Sequence, residues 1–345
     1  GLIDNVIGDG VIKLYRSYLT DPPPVIDVPS SPTPSGIRAG QTLNLHTNGV
    51  IGDNFDAVRG TLNVAGGVVG ENLELIDTTV NLTAGEIGFG ARAYTGSTLN
   101  IDAGSVDDYF RVADGSTVTL NGGQIGERMS AGLYHETDSE VVVTVNAGSI
   151  GDHLRVTAQS ILNINGGSIA EHLYVENSTV NMTGGEVGDD ATIGPASIFN
   201  ISGGVLGDNI EVHGDGTLNI SGGEIGNNFD AYAGSTVNII GSSFFLNGLD
   251  LLPSLAAGVP LEITDRNKRL WGTLADGTPF SFDLNSSNPT YQAHFSTGMT
   301  LTITSAHIAG DLDGDGFVGI DDLNLVPAVS GLLLIGYGVI VSRRR

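Results

Sequence analysis

The segment Thr217-Leu-Asn-Ile-Ser-Gly-Gly-Glu-Ile-Gly-Asn, residues 217–227, recurs with small changes along most of the chain. At residues 61–71 it reads Thr61-Leu-Asn-Val-Ala-Gly-Gly-Val-Val-Gly-Glu. We call the third residue of each copy the reference position; its members are Asn44, Asn63, Asn81, Asn100, Thr119, Thr144, Asn163, Asn181, Asn200, Asn219 and Asn238. Successive members are separated by 18 or 19 residues, except for one step of 25. This constant period predicts a repeat fold.

Apolar residues flank the reference position in every copy, as Leu62 and Val64 do around Asn63. This period of two predicts a short strand with one buried face. Further apolar residues recur six, ten and twelve positions later, and Gly-Gly and Gly-Ser pairs mark corners. We therefore predict an all-β fold, a single-stranded parallel β-helix or β-solenoid, with about ten coils of about 19 residues. Either handedness is compatible with this coil length.

The flanking segments depart from the repeat and divide the chain into further parts. We predict an N-terminal segment with a Pro-rich linker over 1–39, the solenoid over 40–240 and a β-rich cap over 241–308. Within the cap, a hairpin is expected between Leu261 and Leu284, with its turn at Ala275-Asp-Gly-Thr. Such a cap would cover the sheet edge that an open solenoid end exposes.

Composition excludes several classes of function. The chain has 345 residues, 39 acids against 14 bases, a formal net charge of −25 and no cysteine. Disulfides and cysteine metal sites are therefore excluded, and nucleic acid is an unfavourable partner because phosphate contacts need Lys or Arg. The repeat region contains five arginines and no lysine, so we expect it to repel an anionic glycan.

Equivalent positions of a solenoid stack every ~4.8 Å, so outward residues form columns. The reference residues and the residues two positions before them, which are mostly Thr, form one outward surface, the Thr/Asn face. Two interpretations of this face stay open: hydrogen bonding up the stack, or a flat binding face for a polymer or for ordered water such as ice. Eight or nine residues after the reference position lies a second column, the acid column: Asp53, Glu71, Phe89, Asp108, Glu127, Asp152, Glu171, Asp189, Asp208 and Asn227. These residues serve either turn geometry or weak cation binding. His153 and His172 stack beside them, with no third zinc ligand evident.

Residues 309–324 contain a motif of the EF-hand type. Its carboxylates, turn glycine and carbonyl residue fall at the spacing of the twelve-residue calcium loop, and the predicted ligands are Asp311, Asp313, Asp315, Phe317 through its carbonyl oxygen, and Asp322. We therefore predict Ca²⁺ as the bound cofactor.

The C-terminal segment 325–345 is almost wholly apolar from Ala328 to Val341 and ends in three arginines. An apolar run followed by positive charge is typical of a segment that meets the membrane with the arginines on the cytoplasmic side. A buried C-terminal helix is the alternative. We expect this segment to contact the membrane before it is processed.

Three stretches resemble known families. The coil at residues 217–235 resembles repeats of large secreted bacterial β-helix proteins of uncharacterised function. Gly310 to Asn324 is similar to a type I dockerin calcium repeat, and the C-terminal segment, from Val326-Pro327 onward, resembles a PEP-CTERM sorting signal. The resemblance implies export and anchoring at, or release from, the cell surface.

These features together predict a non-enzymatic, exported structural or adhesion protein of the cell surface or extracellular matrix. The alternative is a polysaccharide-binding or polysaccharide-cleaving β-helix module; ice binding by the Thr/Asn face is a third. The expected partners are the membrane, extracellular polysaccharide or other copies of the chain, and not nucleic acid.

Overall fold

The structure is a computed structural model that describes residues 24–132, 139–255, 258–284 and 294–306. Within these ranges the chain is almost entirely β-structure, and the one helical piece is a 3-10 turn at Leu252–Ser254. The predicted β-solenoid is confirmed. The calcium loop at 309–324 and the C-terminal segment at 325–345 lie outside the described residues, as does the start of the N-terminal segment.

Each coil contributes up to three strands. The reference strands form one side of the coils, and all but the first and the last carry a reference position. They are Val25–Val28, Thr42–Leu45, Thr61–Val69, Thr79–Ile87, Thr98–Ile101, Thr117–Leu120, Val142–Val145, Ile161–Ile164, Thr179–Met182, Ile198–Leu206, Thr217–Ile225, Thr236–Leu246 and Thr300–Ser305. The longer of these run on through the corner into the second side of the coil. Elsewhere that side is a separate second strand, at Val50–Ile51, Ser105–Val106, Gln124–Ile125, Ser149–Ile150, Ser168–Ile169 and Glu186–Val187.

The third side of every coil belongs to a separate sheet of twelve strands. These third strands are Gly36–Ile37, Asp56–Val58, Glu74–Ile76, Arg92–Tyr94, Arg111–Val112, Ser130–Ala131, Arg155–Val156, Tyr174–Val175, Thr192–Ile193, Glu211–Val212, Asp230–Ala231 and His294–Phe295. Each pairs in parallel with its equivalent in the next coil, as Arg111 does with Arg92. The solenoid therefore has three flat sides built from two sheets.

The reference positions lie one above another, as the period predicts. Asn163 pairs with Asn181 and Asn181 with Asn200, without a register shift between them. The step of 25 keeps the same register, because Thr119 pairs with Thr144. The strands on either side of this longer step therefore keep the alignment of the other coils.

The stack extends beyond the interval 40–240 at both ends. Val25–Val28 pairs in parallel with Thr42–Leu45, so the expectation of a linker up to residue 39 is wrong for this strand. Its alternation buries Ile26 and Val28 against the core, and this burial outweighs the neighbouring prolines. At the other end, Thr300–Ser305 pairs in parallel with Thr236–Leu246.

The core is the inward half of this alternation. Leu62, Val64, Leu162 and Ile164 have no exposed surface, and the pattern repeats in coil after coil. Burial of each such side chain contributes about 1.5–3 kcal/mol, so stability is summed along the stack.

The predicted hairpin of the cap is present. Arg269–Leu274 pairs antiparallel with Pro279–Asp283 and also with the end of Thr236–Leu246. The ring of Phe282 packs 5.7 Å from that of Phe229. The hairpin therefore covers the apolar end of the last coils. No helix of the described residues is long and apolar enough to cross a membrane.

Candidate functional site

Asparagine side chains on the reference strands form an amide ladder in two runs, from Asn44 to Asn100 and from Asn163 to Asn238. Each donates from Nδ2 to the Oδ1 of its equivalent in the preceding coil, at 2.8 Å from Asn63 to Asn44 and 2.9 Å from Asn200 to Asn181. The ladder begins on Asp27, whose carboxylate accepts from Asn44, and ends where the Thr302 hydroxyl donates to Asn238. Of the two interpretations of this face, the structure shows the hydrogen-bonded one.

The ladder is interrupted at Thr119 and Thr144, and a second one bridges the gap. It lies two residues after the reference position, and we call it the offset ladder; its members are Asp102, Asn121, Asn146, Asn165 and Thr183. The asparagine amides donate at 2.8–2.9 Å from one coil to the next. Sequence analysis missed this ladder, although its asparagines begin in the two coils whose reference residue is Thr.

The aspartates of the acid column are bound to the backbone of the next coil. In each pair the Asp Oδ1 accepts from a backbone N–H, and the pairs are Asp53 with Glu71, Asp108 with Glu127, Asp152 with Glu171, Asp189 with Asp208, and Asp208 with Asn227. The glutamates of the column make no equivalent bond. The aspartates therefore serve the turn, which is the first of the two predicted roles.

Glycine makes room for four of these carboxylates. A Cβ at Gly126 would lie 2.3 Å from Asp108 Oδ1, and one at Gly207 would lie 2.5 Å from Asp189 Oδ1. Where Ala170 replaces the glycine, the bond from Glu171 N to Asp152 is 3.2 Å, the longest in the column. Glycine at this corner therefore leaves space for a short Asp–backbone bond, and alanine is accommodated with a longer one.

The corner beside the acid column carries two stacked imidazoles. The His153 and His172 rings lie 4.6 Å apart and nearly parallel, as predicted. His172 Nε2 is 3.6 Å from Asp190 Oδ2, and Glu171 offers a further ligand atom within 4.8 Å. The structure thus groups His172 with Glu171 and Asp190, and His153 is not part of this triad. The side chains of His172 and Asp190 are nearly half exposed, and such a surface triad is chemically able to bind a divalent cation only weakly.

The third strands present an outward column of a different character, which we call the third-strand face. Numbering its rungs from one to ten, its members are Asp56, Glu74, Arg92, Arg111, Ser130, Arg155, Tyr174, Thr192, Glu211 and Asp230. Three of the five repeat-region arginines fall on rungs three to six, and a fourth, Arg128, occupies the adjacent corner. The arginines are thus concentrated rather than dispersed, which a count of charges along the chain does not reveal.

Aromatic rings accompany these arginines. The Arg128 guanidinium lies 5.3 Å from the Tyr109 ring, and that of Arg155 lies 5.4 Å from the Tyr174 ring. The described residues place no carboxylate within ion-pair distance of Arg92, Arg111 or Arg128. Within the part of the chain that the structure describes, these cations are therefore not neutralised by an ion pair.

Two tyrosines report the change of charge along this face. Burial raises the pKa of Tyr94, while the neighbouring Arg92 and Arg111 act to lower it. Tyr232 occupies the equivalent place on rung ten, where burial and then the charges of Glu211 and Asp230 raise its pKa to about 12. The charges near Tyr94 thus include two arginines that act to lower its pKa, whereas those near Tyr232 are carboxylates that act to raise it.

An open groove of about 430 Å³ runs along the second strands. Its lining includes the side chains of Ser105, Gln124, Ser149 and Ser168, with Glu86 and Asp107 also present. Hydroxyl and amide groups at coil spacing can exchange hydrogen bonds with a polyhydroxylated chain.

The predicted calcium ligands, Asp311, Asp313, Asp315, Phe317 and Asp322, all lie outside the described residues, so their geometry stays a prediction. Comparison with protein-family models, with curated proteins and with solved structures gives no match to this chain.

Proposed function

We propose that the chain is a non-enzymatic, exported structural or adhesion protein of the cell surface or extracellular matrix. The observation that supports this most is the uninterrupted stack from Val25–Val28 to Thr300–Ser305, with its side-chain ladders. At ~4.8 Å per coil, thirteen stacked reference strands form a rod of roughly 60 Å. A rod of this kind can act as a spacer and can present the same surface at regular intervals.

Labelling of intact cells that express the protein natively tests this function. Antibody against the solenoid should bind without permeabilisation. Purified protein should release no new reducing ends from neutral or acidic polysaccharides. Labelling seen only after lysis, or robust polysaccharide turnover, would contradict the proposal.

Calcium binding by the loop at 309–324 is part of the same proposal. Four carboxylates held in one short loop repel each other, and Ca²⁺ relieves that repulsion while taking the Phe317 carbonyl oxygen as a further ligand. At a hundredfold excess over Kd the bound ion stabilises the ordered loop by roughly 2.7 kcal/mol.

Calorimetric titration of the full chain tests the calcium site. The double variant Asp311→Ala, Asp315→Ala should lose one bound Ca²⁺, whereas Asp152→Ala in the acid column should keep it. Equal Ca²⁺ uptake by the loop variant and the wild type would show that the cation binds to another part of the chain.

The C-terminal segment is proposed to meet the membrane before processing, with its arginines on the cytoplasmic side. Mass spectrometry of the protein from its native cells should find the apolar run removed, or find it only in the membrane fraction. A freely soluble secreted species that ends at Arg345 would contradict this step.

Polysaccharide binding is the second candidate function, and the groove along the second strands favours it. Its serines and Gln124 recur at coil spacing, and a glycan array read against the variant Gln124→Ala, Ser149→Ala tests it. Loss of a neutral glycan signal in the variant would support binding there, and an array without any signal would contradict it.

A further inference from the structure

The charges of the third-strand face change sign along the solenoid axis. Rungs one and two carry Asp56 and Glu74. Arginines occupy rungs three, four and six, and Glu211 and Asp230 follow on rungs nine and ten. Strand alternation turns these residues outward, because the positions between them are buried. The face is therefore a linear pattern whose parts have opposite signs.

Such a pattern can be complementary to itself. A two-fold axis that lies between two copies and runs along the strand direction brings the faces together with the solenoid axes antiparallel. The strands of one copy then lie over the strands of the other. Because the solenoid axes are antiparallel, the rungs of one copy face those of the other in reverse order. When rung six faces rung seven, Arg92 faces Asp230, Arg111 faces Glu211, and Ser130 faces Thr192. No like charges meet on the rungs from three to ten.

The flanking columns follow the same register. At the corner beside the face, Arg128 comes opposite Asp190. On the other side, two residues beyond the face, Tyr94 comes opposite Tyr232, and Gly132 opposite Gly194. Arg92, Arg111 and Arg128 thus each meet a carboxylate of the other copy.

Neighbouring registers fail. A shift of one rung in one direction places Arg155 against Arg155, breaks all three charge pairs and leaves only Arg92 opposite a carboxylate, that of Glu211. A shift of one rung in the other direction also breaks all three and leaves only Arg111 opposite a carboxylate, that of Asp230. One register is therefore favoured over its neighbours by charge alone.

We propose that two copies of the chain associate through their third-strand faces, antiparallel and with rung six against rung seven. A linear polyanion fits this face less well, because Glu74 on one side and Glu211 on the other would repel its continuation along the axis. The net charge of −25 on each copy does not prevent association at physiological salt, since charges more than ~8 Å apart are screened. This inference goes beyond the proposed structural role and does not depend on it.

The expected interface is small. Eight rungs at ~4.8 Å span roughly 38 Å, and the strands are two to three residues wide, which places the contact among weak associations. The dimer should therefore dissociate on dilution and in high salt, because its ion pairs are exposed at the rim.

Sedimentation equilibrium of the full chain over a wide concentration range tests the pairing. Wild type should form a dimer that added salt weakens. Arg111→Glu and Glu211→Arg should each weaken it at least tenfold, and the double variant Arg111→Glu, Glu211→Arg should recover it, because the charge pair is restored with reversed sign. Circular dichroism of each variant confirms that the fold is intact.

Three outcomes overturn the proposal. These are a wild type that stays monomeric at its highest soluble concentration, a dimer that both single variants leave unchanged, and a double variant that associates no better than the singles. A monomer that binds an acidic polysaccharide through Arg111, with no recovery in the double variant, would assign the face to that polymer instead.

Site-directed cross-linking tests the register separately. Because the chain has no native cysteine, only the introduced thiols react. Ser130→Cys, Thr192→Cys should give covalent dimers with a bifunctional maleimide that spans the ~10 Å between facing sheets. Within one chain these residues are three coils, roughly 14 Å, apart. The control Glu74→Cys, Thr192→Cys places cysteines on rungs that do not face each other and should stay monomeric. Cross-linking in the control but not in the test pair would refute the register.

Discussion

The reference strands and the third strands share the same coils and the same inward alternation, yet they use their outward residues differently. On the reference strands the side chains of successive coils are alike and bond to one another, as Asn181 bonds to Asn163 and Asn200. On the third strands successive residues are unlike, and Arg92, Arg111 and Ser130 follow each other. Repetition of one residue lets polar side chains bond to one another along the stack, whereas Arg92 and Arg111 on the third strands have no ion pair among the described residues.

This contrast separates positions that build the fold from positions that serve recognition. The acid column belongs to the first class, because its aspartates accept backbone N–H groups of the next coil. The arginines belong to the second class.

The largest effect should follow from breaking the register that both faces share. Insertion of one residue between Leu162 and Asn163 turns inward side chains outward and exposes apolar groups to water. We expect loss of the cooperative unfolding transition in urea. Insertion of one residue at the exposed turn between Gly214 and Asp215 is the matched control and should preserve the transition. Equal damage by both insertions would contradict the coil assignment.

The acid column should respond to loss of an acceptor and not to loss of charge. Asp189→Ala removes the acceptor for the Asp208 N–H and should lower the free energy of unfolding by about 0.5–1.5 kcal/mol. Asp189→Asn keeps an acceptor oxygen and should cost much less. Urea unfolding of both variants in calcium-free buffer measures the difference. A larger loss in the Asn variant would indicate that the charge itself, through a cation, stabilises the corner.

Extending the amide ladder should stabilise the stack slightly. Thr119→Asn places a donor opposite the Asn100 Oδ1, so we expect a gain of at most about 1 kcal/mol. Thr98→Asn introduces the same residue one coil earlier and two residues away from the ladder, and it should give no gain. Thermal unfolding of the two variants measures the change in stability. A greater loss of stability in Thr119→Asn than in the control would contradict the ladder geometry.

The cap should show the smallest effect, and only in acid. Burial acts to raise the pKa of Asp276, but hydrogen bonds from the backbone N–H groups of Thr278 and Gly223 lower it below its usual value. A carboxyl with a lowered folded-state pKa contributes stability above its unfolded pKa of ~3.9 and loses it as pH falls through the folded value.

We therefore expect wild type to lose slightly more stability between neutral pH and strong acid than Asp276→Asn does. Urea midpoints across this range measure the difference. Because Asp276 is exposed, the effect is small, and an opposite sign would show that the carboxylate does not fasten the hairpin to the last coils.

The sequence predicts the coil register because the period is carried by buried residues that every coil needs. It also predicts the hairpin, whose turn residues are local. It does not predict the strand at Val25–Val28, because the prolines around it are typical of a linker and its partner lies one coil away. The sequence does not predict the offset ladder for a similar reason, since it is short and is centred on the coils of Thr119 and Thr144.

The sequence shows that the arginines share one column only when residues are aligned by the coil register. Arg92, Arg111 and Arg155 each lie eleven residues after a reference position, so they share one column. The six-residue insertion comes after Ser130–Ala131 and so does not break that column. Net charge over the whole repeat conceals this arrangement, because a solenoid brings together residues that are a coil apart in sequence.

One comparison tests most directly whether the reference strands hold the fold while the third-strand face is left for a partner. It is the urea midpoint of Asn181→Ala beside that of Arg111→Ala, measured at a dilution where copies are separate. Asn181→Ala leaves two ladder bonds unmade and should lower the free energy of unfolding by about 1–3 kcal/mol. Arg111→Ala should stay within about 0.5 kcal/mol of wild type. Equal losses in the two variants, or a larger loss at Arg111, would contradict this division between the two faces.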